Sequence, residues 1–577
     1  MSYLVTNGAD SGVGSLRFAI TQATGTSFDI NFDPSVTMVT LESQILIDVP
    51  DTTININGNG SGVLTIARNI LSISQFRIFS IRTSANIVGV TIANGLFNSD
   101  NGSAVSINNN NDTNMNDIVF ANNSTTASST VYIFNSTVAL SNVIFSNNTA
   151  VNSVAIASIL STMTIFNCNI FNNICTQTNG AFVSISGGTA SINNISIHDN
   201  NARAVNISAS AIVNISNSSL YNNITGIVCS NTSITNIVNT TISNNTAITS
   251  TTFPGGAMNI DLRNGGSVSM INSTISDNSS VTGGALNIFS TNVGPVTIGN
   301  TIVAQNTNLD DTPSDITGTF TSLGTNLFGV FDNSTASGVI ASDLYGSQVS
   351  PLDAMLQPLS DNGGPTLTMA LVADSPAVDA GNEAIIPAGV IYDQRGPFFS
   401  RITGPSVDIG AFEYVLAVVC YSGDSLVLTK NIHTNEIAEI PARQVYSNAH
   451  LVYNVTDNCF VPIKLNIITG KISRMIVIPK DLFGENIPNA NFYVTSGHYL
   501  MINGAKIKAR HVPGRLRLKV QPQNVYSICT DTESIIKVNN LDVTTWAYDK
   551  FMVKSKTRGL NWHNNCHSTL AYKKIEK

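Results

Sequence analysis

Three residues late in the chain have types and spacing suited to breaking a peptide bond. Cys420 stands in the run "VLAVVCYSGDSLVL" (415–428), where Asn-, Ser- and Thr-rich sequence gives way to sequence of another character. A thiol is the side chain best able to attack an amide near neutral pH, since an unperturbed pKa of about 8.5 leaves some thiolate and that thiolate is intrinsically nucleophilic. As the first residue of a folded segment, Cys420 can bend its sulfur onto the carbonyl carbon of Val419 through a five-membered ring, turning the Val419–Cys420 bond into a thioester. An amide nitrogen leaves poorly unless protonated, so the step needs an acid, and an imidazole with an ordinary pKa of about 6.5 suits the task. His498, in "FYVTSGHYLMING" (492–504), is the candidate. Thr495, three residues before it, is placed to orient the ring or to bond the scissile backbone, and Cys529 is a second thiol placed to assist. Each also has a plainer reading. A cysteine in a strand is usually a small buried hydrophobe, a histidine at a strand end is usually a satisfied one, and threonine is a β-former.

The elements that must position these residues are strands. Of 577 residues 42% are hydrophobic and only 11% charged, which supplies core material and excludes a disordered acidic chain. The length implies two or more domains or one long repetitive one. The net charge of -8 conceals an asymmetry: from Cys420 onward there are 20 Lys+Arg and 11 Asp+Glu, leaving 8 and 25 before it. Two electrostatically distinct parts follow. In the basic part "KIKARHVPGRLRLK" (506–519) is the one dense run, and it reads as a solvated strand face more readily than as a nucleic-acid site. Seven cysteines without tight Cys–Cys spacing argue against a disulfide framework or a zinc site, so free thiols are expected and neither metal nor cofactor is implied. No run of eighteen apolar residues suggests a membrane span, and "MSYLVTNGADSGVGSLRFAI" lacks signal-peptide regions. The Asn-x-Ser/Thr triplets are what such a composition produces by chance.

Ahead of Cys420 the chain repeats. "IVFANNST" (118–125), "VIFSNNTA" (143–150), "CNIFNNIC" (168–175), "ISIHDNNA" (195–202), "SSLYNNIT" (218–225), "TTISNNTA" (240–247), "STISDNSS" (273–280) and "TIVAQNTN" (301–308) share a unit whose final Asn recurs at 123, 148, 173, 200, 223, 245, 278 and 306. The period is close to 25. Each unit holds short alternating runs such as "TVALSNVIFSNN", which is strand periodicity, and strands this short must stack on their neighbours to bury anything. Asn suits the bends because it tolerates left-handed backbone and can bond to the Asn of the next coil. The predicted fold is all-β, a right-handed parallel β-helix. "GGAMNIDL" (255–262) and "GGALNIFS" (283–290) look like one more register of it.

Glycan-cleaving enzymes need two or three carboxylates on one face. Asp199 and Asp277 occupy the slot filled elsewhere by Asn147, Asn172, Asn222 and Asn244, so they read as bend formers, while Asp117 and Asp261 are isolated. His198 reads as a lone solvent-facing residue. Asp379, Asp393, Arg395 and Asp408 read as hydrogen-bonding residues that hold a terminating region together.

"YLVTNGADSGVGSLRFAI" with "FDINFD" (28–33) resembles the first coil of bacterial surface β-helix proteins of the polymorphic outer-membrane type. "LSDNGGPTLTMALVADSPAVDAGN" (359–382) with "DQRGPFFSRITGPSVDIGAFEY" (393–414) resembles their terminating choice-of-anchor region. After Cys420, the ordered blocks "CYSGDSLVL", "FYVTSGHYLMING" and "NVYSICTDTESIIKVNNLDVTTWAYD" (524–549) resemble the Hint domain, the self-processing fold of hedgehog C-terminal domains and inteins. Similar tails belong to predicted giant-virus proteins, which implies a virion or a host cytoplasm. The organisation expected is a β-helix over 1–345, a terminating region over 346–415, a Hint-like domain over 420–549 and a basic tail over 550–577. The resemblance implies autocatalytic cleavage at Val419–Cys420 by Cys420 with Thr495 and His498, the chain being its own substrate. The released β-helix would be a rod that binds glycans or a particle surface; the rival expectation is an uncleaved rod with an inactive Hint cap. The chain departs from the family where inteins end in His-Asn, because it offers Thr544, Thr545 and Trp546. "WHNNC" (562–566) lies some twenty residues too late. Val419 stands where hedgehog proteins have Gly, and no acid follows His498 where they use one for sterol.

Overall fold

A computed structural model of the protein describes residues 1–547 except 110–111, 178, 248–254, 282–283, 290–293, 373, 398, 404–405, 415–420 and 496–497. The chain divides into two compact units, Met1–Tyr414 and Val415–Lys577. Both are built almost wholly of strands, with about 3% helix.

The first unit is a parallel β-solenoid of about twelve turns. Its registers reproduce the repeat spacing: Phe120 pairs with Phe145, Phe145 with Ile170, Ile170 with Ile197, Ile197 with Leu220, Leu220 with Ile242 and Ile242 with Ile275, all in parallel. These side chains form a continuous buried column, and the Phe120 and Phe145 rings stack at 4.7 Å. Burying one such side chain stabilises by about 1.5–3 kcal/mol, which a lone coil cannot obtain and a stack obtains at every level. Beside the first strands the helix Leu16–Thr21, capped by the Ser15 hydroxyl accepting from the Phe18 N–H, buries Leu16, Ala19 and Ile20 against the solenoid core.

Asparagine does two different jobs in adjacent positions. Asn122, Asn147, Asn172, Asn222 and Asn244 adopt left-handed φ of 53–56°, and Asp199 and Asp277 take the same conformation at 54° and 58°. A short side chain that can bond to nearby backbone makes that conformation tolerable. The following residues, Asn123, Asn148, Asn173, Asn200, Asn223, Asn245, Asn278 and Asn306, point inward and are buried. Asn148 shows the pattern: its Oδ1 accepts from Asn123 N and Nδ2 at 3.0 Å each, while its Nδ2 donates to Asn173 Oδ1 at 3.0 Å and Phe120 O at 2.9 Å. Both lone pairs and both amide hydrogens are used, so a polar column runs through the interior at little desolvation cost. The column ends on Asp315, whose Oδ1 accepts from Asn306 N and Nδ2 and whose Oδ2 accepts from Val330 N. A second column, Thr240–Ser273–Thr301–Asn326, ends likewise on Asp343.

Residues 346–414 form a strap along the flank of the solenoid rather than a lid over its end. Thr366 Oγ1 donates to Asn217 O, Asn239 Nδ2 to Tyr392 O, Thr241 Oγ1 to Gln394 Oε1 and Ala411 N to Thr274 Oγ1, bridging several coils. Ala354, Leu371, Ala377, Ile409 and Phe412 pack with Ile302, Ala304 and Leu327. Inside the strap Arg395 pairs with Asp393 at 2.5 Å and lies over the rings of Phe399 and Phe412, and Arg401 pairs with Glu413 at 3.1 Å. Asp408 accepts from Asp379 N and Tyr414 N. These residues hold the strap together, as expected of them.

The second unit holds two antiparallel-rich sheets. In one, Tyr421–Ser422 pairs with Phe492–Val494 and with Leu516–Thr530, and Leu465–Ile478 pairs with both of those strands, so that the four close on themselves. The other contains the hairpin Ile535–Val538 with Leu541–Thr544, turned by Asn539 and Asn540 at φ of 48° and 61°.

Candidate active site

Val419 and Cys420 lie outside the described residues, as do 550–577 with the "WHNNC" run. The site is therefore built from Tyr421 onward. Tyr421 is held on both sides, opposite Val494 on one strand and Tyr526 on the other. Val494 is the residue before Thr495, so the strand that begins next to Cys420 is registered against the strand that leads into Thr495 and His498. His498 is fully buried, its N–H bonded to Thr495 O at 3.1 Å and its carbonyl accepting from Ala509 N at 2.7 Å. Its ring lies 5.6 Å from the Tyr421 ring. Thr495 is buried beside it. The buried imidazole thus lies beside Tyr421, the residue that follows the predicted nucleophile.

The turn after Tyr421 explains the "YSGDS" motif. Ser425 N donates to Ser422 O, the two serine hydroxyls lie 3.1 Å apart, and Arg443 N donates to Gly423 O at 3.0 Å. A Cβ on Gly423 would sit 2.7 Å from the Tyr526 ring, so only glycine lets this turn lie on the strand that pairs with Tyr421. Leu426, where the chain continues, exchanges bonds with Asn539: Leu426 N to Asn539 Oδ1 at 2.5 Å and Asn539 N to Leu426 O at 2.7 Å. The last hairpin therefore clamps the first strand, and the order of the blocks in the sequence becomes a contact. Tyr421, Tyr526 and Asn539 lie within the quoted blocks but were not singled out there, because their contacts join residues far apart in the sequence.

Cys529 is fully buried on the strand Leu516–Thr530, and burial pushes its thiol up to about 12. Burial thus favours its neutral thiol form. Thr545 accepts from Ser534 N at 2.9 Å and its hydroxyl lies 2.7 Å from Thr530 Oγ1, a buried hydroxyl cluster.

No family model matches the chain, and no curated protein matches it. Among solved structures, the pectate lyase Pel9A is similar over 72% of this chain and 97% of its own, with 13% identity and a TM-score of 0.36. The DnaB intein from Synechocystis sp. PCC 6803 is similar over 22% of this chain and 98% of its own, with 11% identity and a TM-score of 0.18.

On the solenoid the carboxylates singled out in the sequence sit in separate local settings. Asp117 has φ of 54° and accepts from the Ser61 hydroxyl and N–H, Asp261 pairs with Arg263, and Asp277 has its pKa raised by burial. His198 is not alone. Its ring is stacked between Phe171 at 5.4 Å and Tyr221 at 4.7 Å, its Nδ1 lies 2.7 Å from Asp199 Oδ2 and its Nε2 3.1 Å from Asn169 Oδ1. The coil spacing places residues 27 and 23 positions apart face to face, which single-coil reading misses. Among the described residues no cluster of His, Cys, Asp and Glu is arranged to hold a metal ion, Cys168, Cys175, Cys229, Cys459 and Cys529 are free thiols, and no helix is long and apolar enough to cross a membrane.

Proposed function

We propose that the second unit cleaves its own chain once, at Val419–Cys420, and frees the solenoid with Val419 as its C-terminus. The observation that carries this reading is the buried His498 ring beside Tyr421, the residue that follows the nucleophile. The Cys420 sulfur, as thiolate, adds to the Val419 carbonyl carbon. The tetrahedral intermediate then expels the Cys420 nitrogen, which takes a proton from His498, leaving a thioester between Val419 and the Cys420 sulfur. Water or an added thiol attacks that thioester, giving a free Val419 carboxylate or a new thioester and restoring the Cys420 thiol. Thr495 orients the imidazole or bonds the scissile backbone. The β-branch of Val419 crowds its carbonyl and makes the first step slow, so the thioester is best detected by trapping. Purified full-length chain incubated with dithiothreitol or hydroxylamine yields a fragment of residues 1–419 by intact mass. Cys420→Ala abolishes it and His498→Ala lowers its rate at least a hundredfold, general acid catalysis contributing on the order of 10²–10⁴. Full-length chain that persists under both nucleophiles overturns the reading and leaves a solenoid rod with an inert second unit.

A further inference from the structure

The second unit carries a surface that the cleavage chemistry does not use. From residue 486 to residue 530 there is no Asp or Glu, while Lys506, Lys508, Arg510, Arg515, Arg517 and Lys519 fall within fourteen residues. Lys506 and Lys508 lie on the strand Ala505–Lys508, Arg510 on the 3-10 turn Ala509–His511, and Arg515 and Arg517 beside and within the start of the strand Leu516–Thr530. Their convergence is visible at His511, whose pKa is pushed down first by partial desolvation and then by the charges of Arg510, Lys508, Arg515 and Arg517. Lys506 has a carboxylate partner, Glu533. Among the described residues Lys508, Arg510, Arg515 and Arg517 have none. Arg515 Nη1 donates to Val512 O at 2.9 Å, and the Nε atoms of Arg510 and Arg515 are buried without a protein acceptor.

Four cations gathered without counter-charges repel one another, and they do so in a chain whose net charge is -8. A ligand that supplies anions in series would relieve this. Three of the four are guanidinium groups, whose planar forks match phosphate oxygens in pairs. Arg517 is exposed and Lys508, Arg510 and Arg515 are half-buried on successive short elements, a spread that suits several contacts to a repeating charge better than one bound phosphate. The ring of Tyr499 is already engaged by Lys506 and Lys508 at 4.9 and 5.4 Å, cation contacts that compete with stacking by a base. We infer that the surface formed by Lys508, Arg510, Arg515 and Arg517 binds the phosphate backbone of nucleic acid without reading its bases.

The test measures anisotropy of fluorescent 20-base-pair duplexes of two unrelated sequences with full-length Cys420→Ala chain across a salt series. Four phosphate contacts predict a slope of log K against log salt of about -3.6 and equal affinity for both sequences. Arg510→Gln with Arg515→Gln brings the slope to about -1.8 and weakens binding more than tenfold at 0.1 M salt, roughly a factor of ten to the power 1.8. Lys554→Gln, Lys556→Gln and Arg558→Gln in the tail leave the difference made by the arginine pair intact. Three results overturn the inference: no duplex binding, binding lost with the tail substitutions but not with the arginine pair, or binding confined to phosphatidylserine vesicles or to heparin.

Discussion

Asn147 and Asn148 are neighbours of the same type with opposite roles, and substitution separates them. Asn147 holds a left-handed bend at φ of 56°, so Asn147→Gly is tolerated to within about 0.5 kcal/mol and Asn147→Val costs about 1–2 kcal/mol. Asn148→Ala strips an acceptor from Asn123 and donors from Phe120 O and Asn173, leaving buried polar groups unmet. It costs on the order of 3 kcal/mol in urea denaturation. At the end of the column Asp315 behaves differently. Burial pushes its pKa up to about 7 against the pull of its N–H donors, well above its ordinary 3.8. The folded state then holds a proton between pH 4 and 7 that the unfolded state has released, so this group's contribution to stability falls as pH rises through that window and is level above it. Denaturation of wild type and Asp315→Asn at several pH values reads this directly: the wild type loses stability relative to the variant between pH 4 and 7, and a difference independent of pH refutes it.

At the scale of elements, the strap is the part most exposed to single changes. Arg401 is buried and donates to Glu413 Oε2 and to the carbonyls of Gly410 and Asp408, so Arg401→Met leaves the Glu413 carboxyl buried without its cation and both carbonyls without that donor. The expected loss is about 3–5 kcal/mol, seen as earlier proteolytic release of residues 346–414 at pH 8 than in the wild type. The solenoid strands were legible because each coil repeats the same residue types in the same slots; the spacing of Asn123, Asn148 and Asn173 is the register itself. The strap's docking was not, because its contacts join residues such as Asn217 and Thr366 that lie 149 positions apart with no shared pattern. The same reasoning covers His198, whose partners Phe171 and Tyr221 belong to other coils. At the candidate site, the order of the Cys420, Thr495 and His498 blocks was readable, whereas the clamp of Asn539 on Leu426 joins residues 113 positions apart.

At the scale of the whole molecule, two units with separate cores predict two unfolding transitions. Calorimetry of Cys420→Ala shows them resolved, and Asn148→Ala lowers one while leaving the other unchanged; a single concerted transition that shifts as a whole refutes independence. About twelve turns at roughly 4.8 Å give the first unit a length of about 55 Å, set by the number of coils.

A column of amides is directional and has no intrinsic limit, since each group gives on one side and takes on the other. Were its final member also an amide, its own N–H groups would need further acceptors inside the buried end of the series. Asp315 and Asp343 supply a carboxyl there instead, with one oxygen accepting from the preceding amide. The other oxygen accepts from Val330 N or Ile340 N, so each series is terminated within the solenoid by groups close at hand.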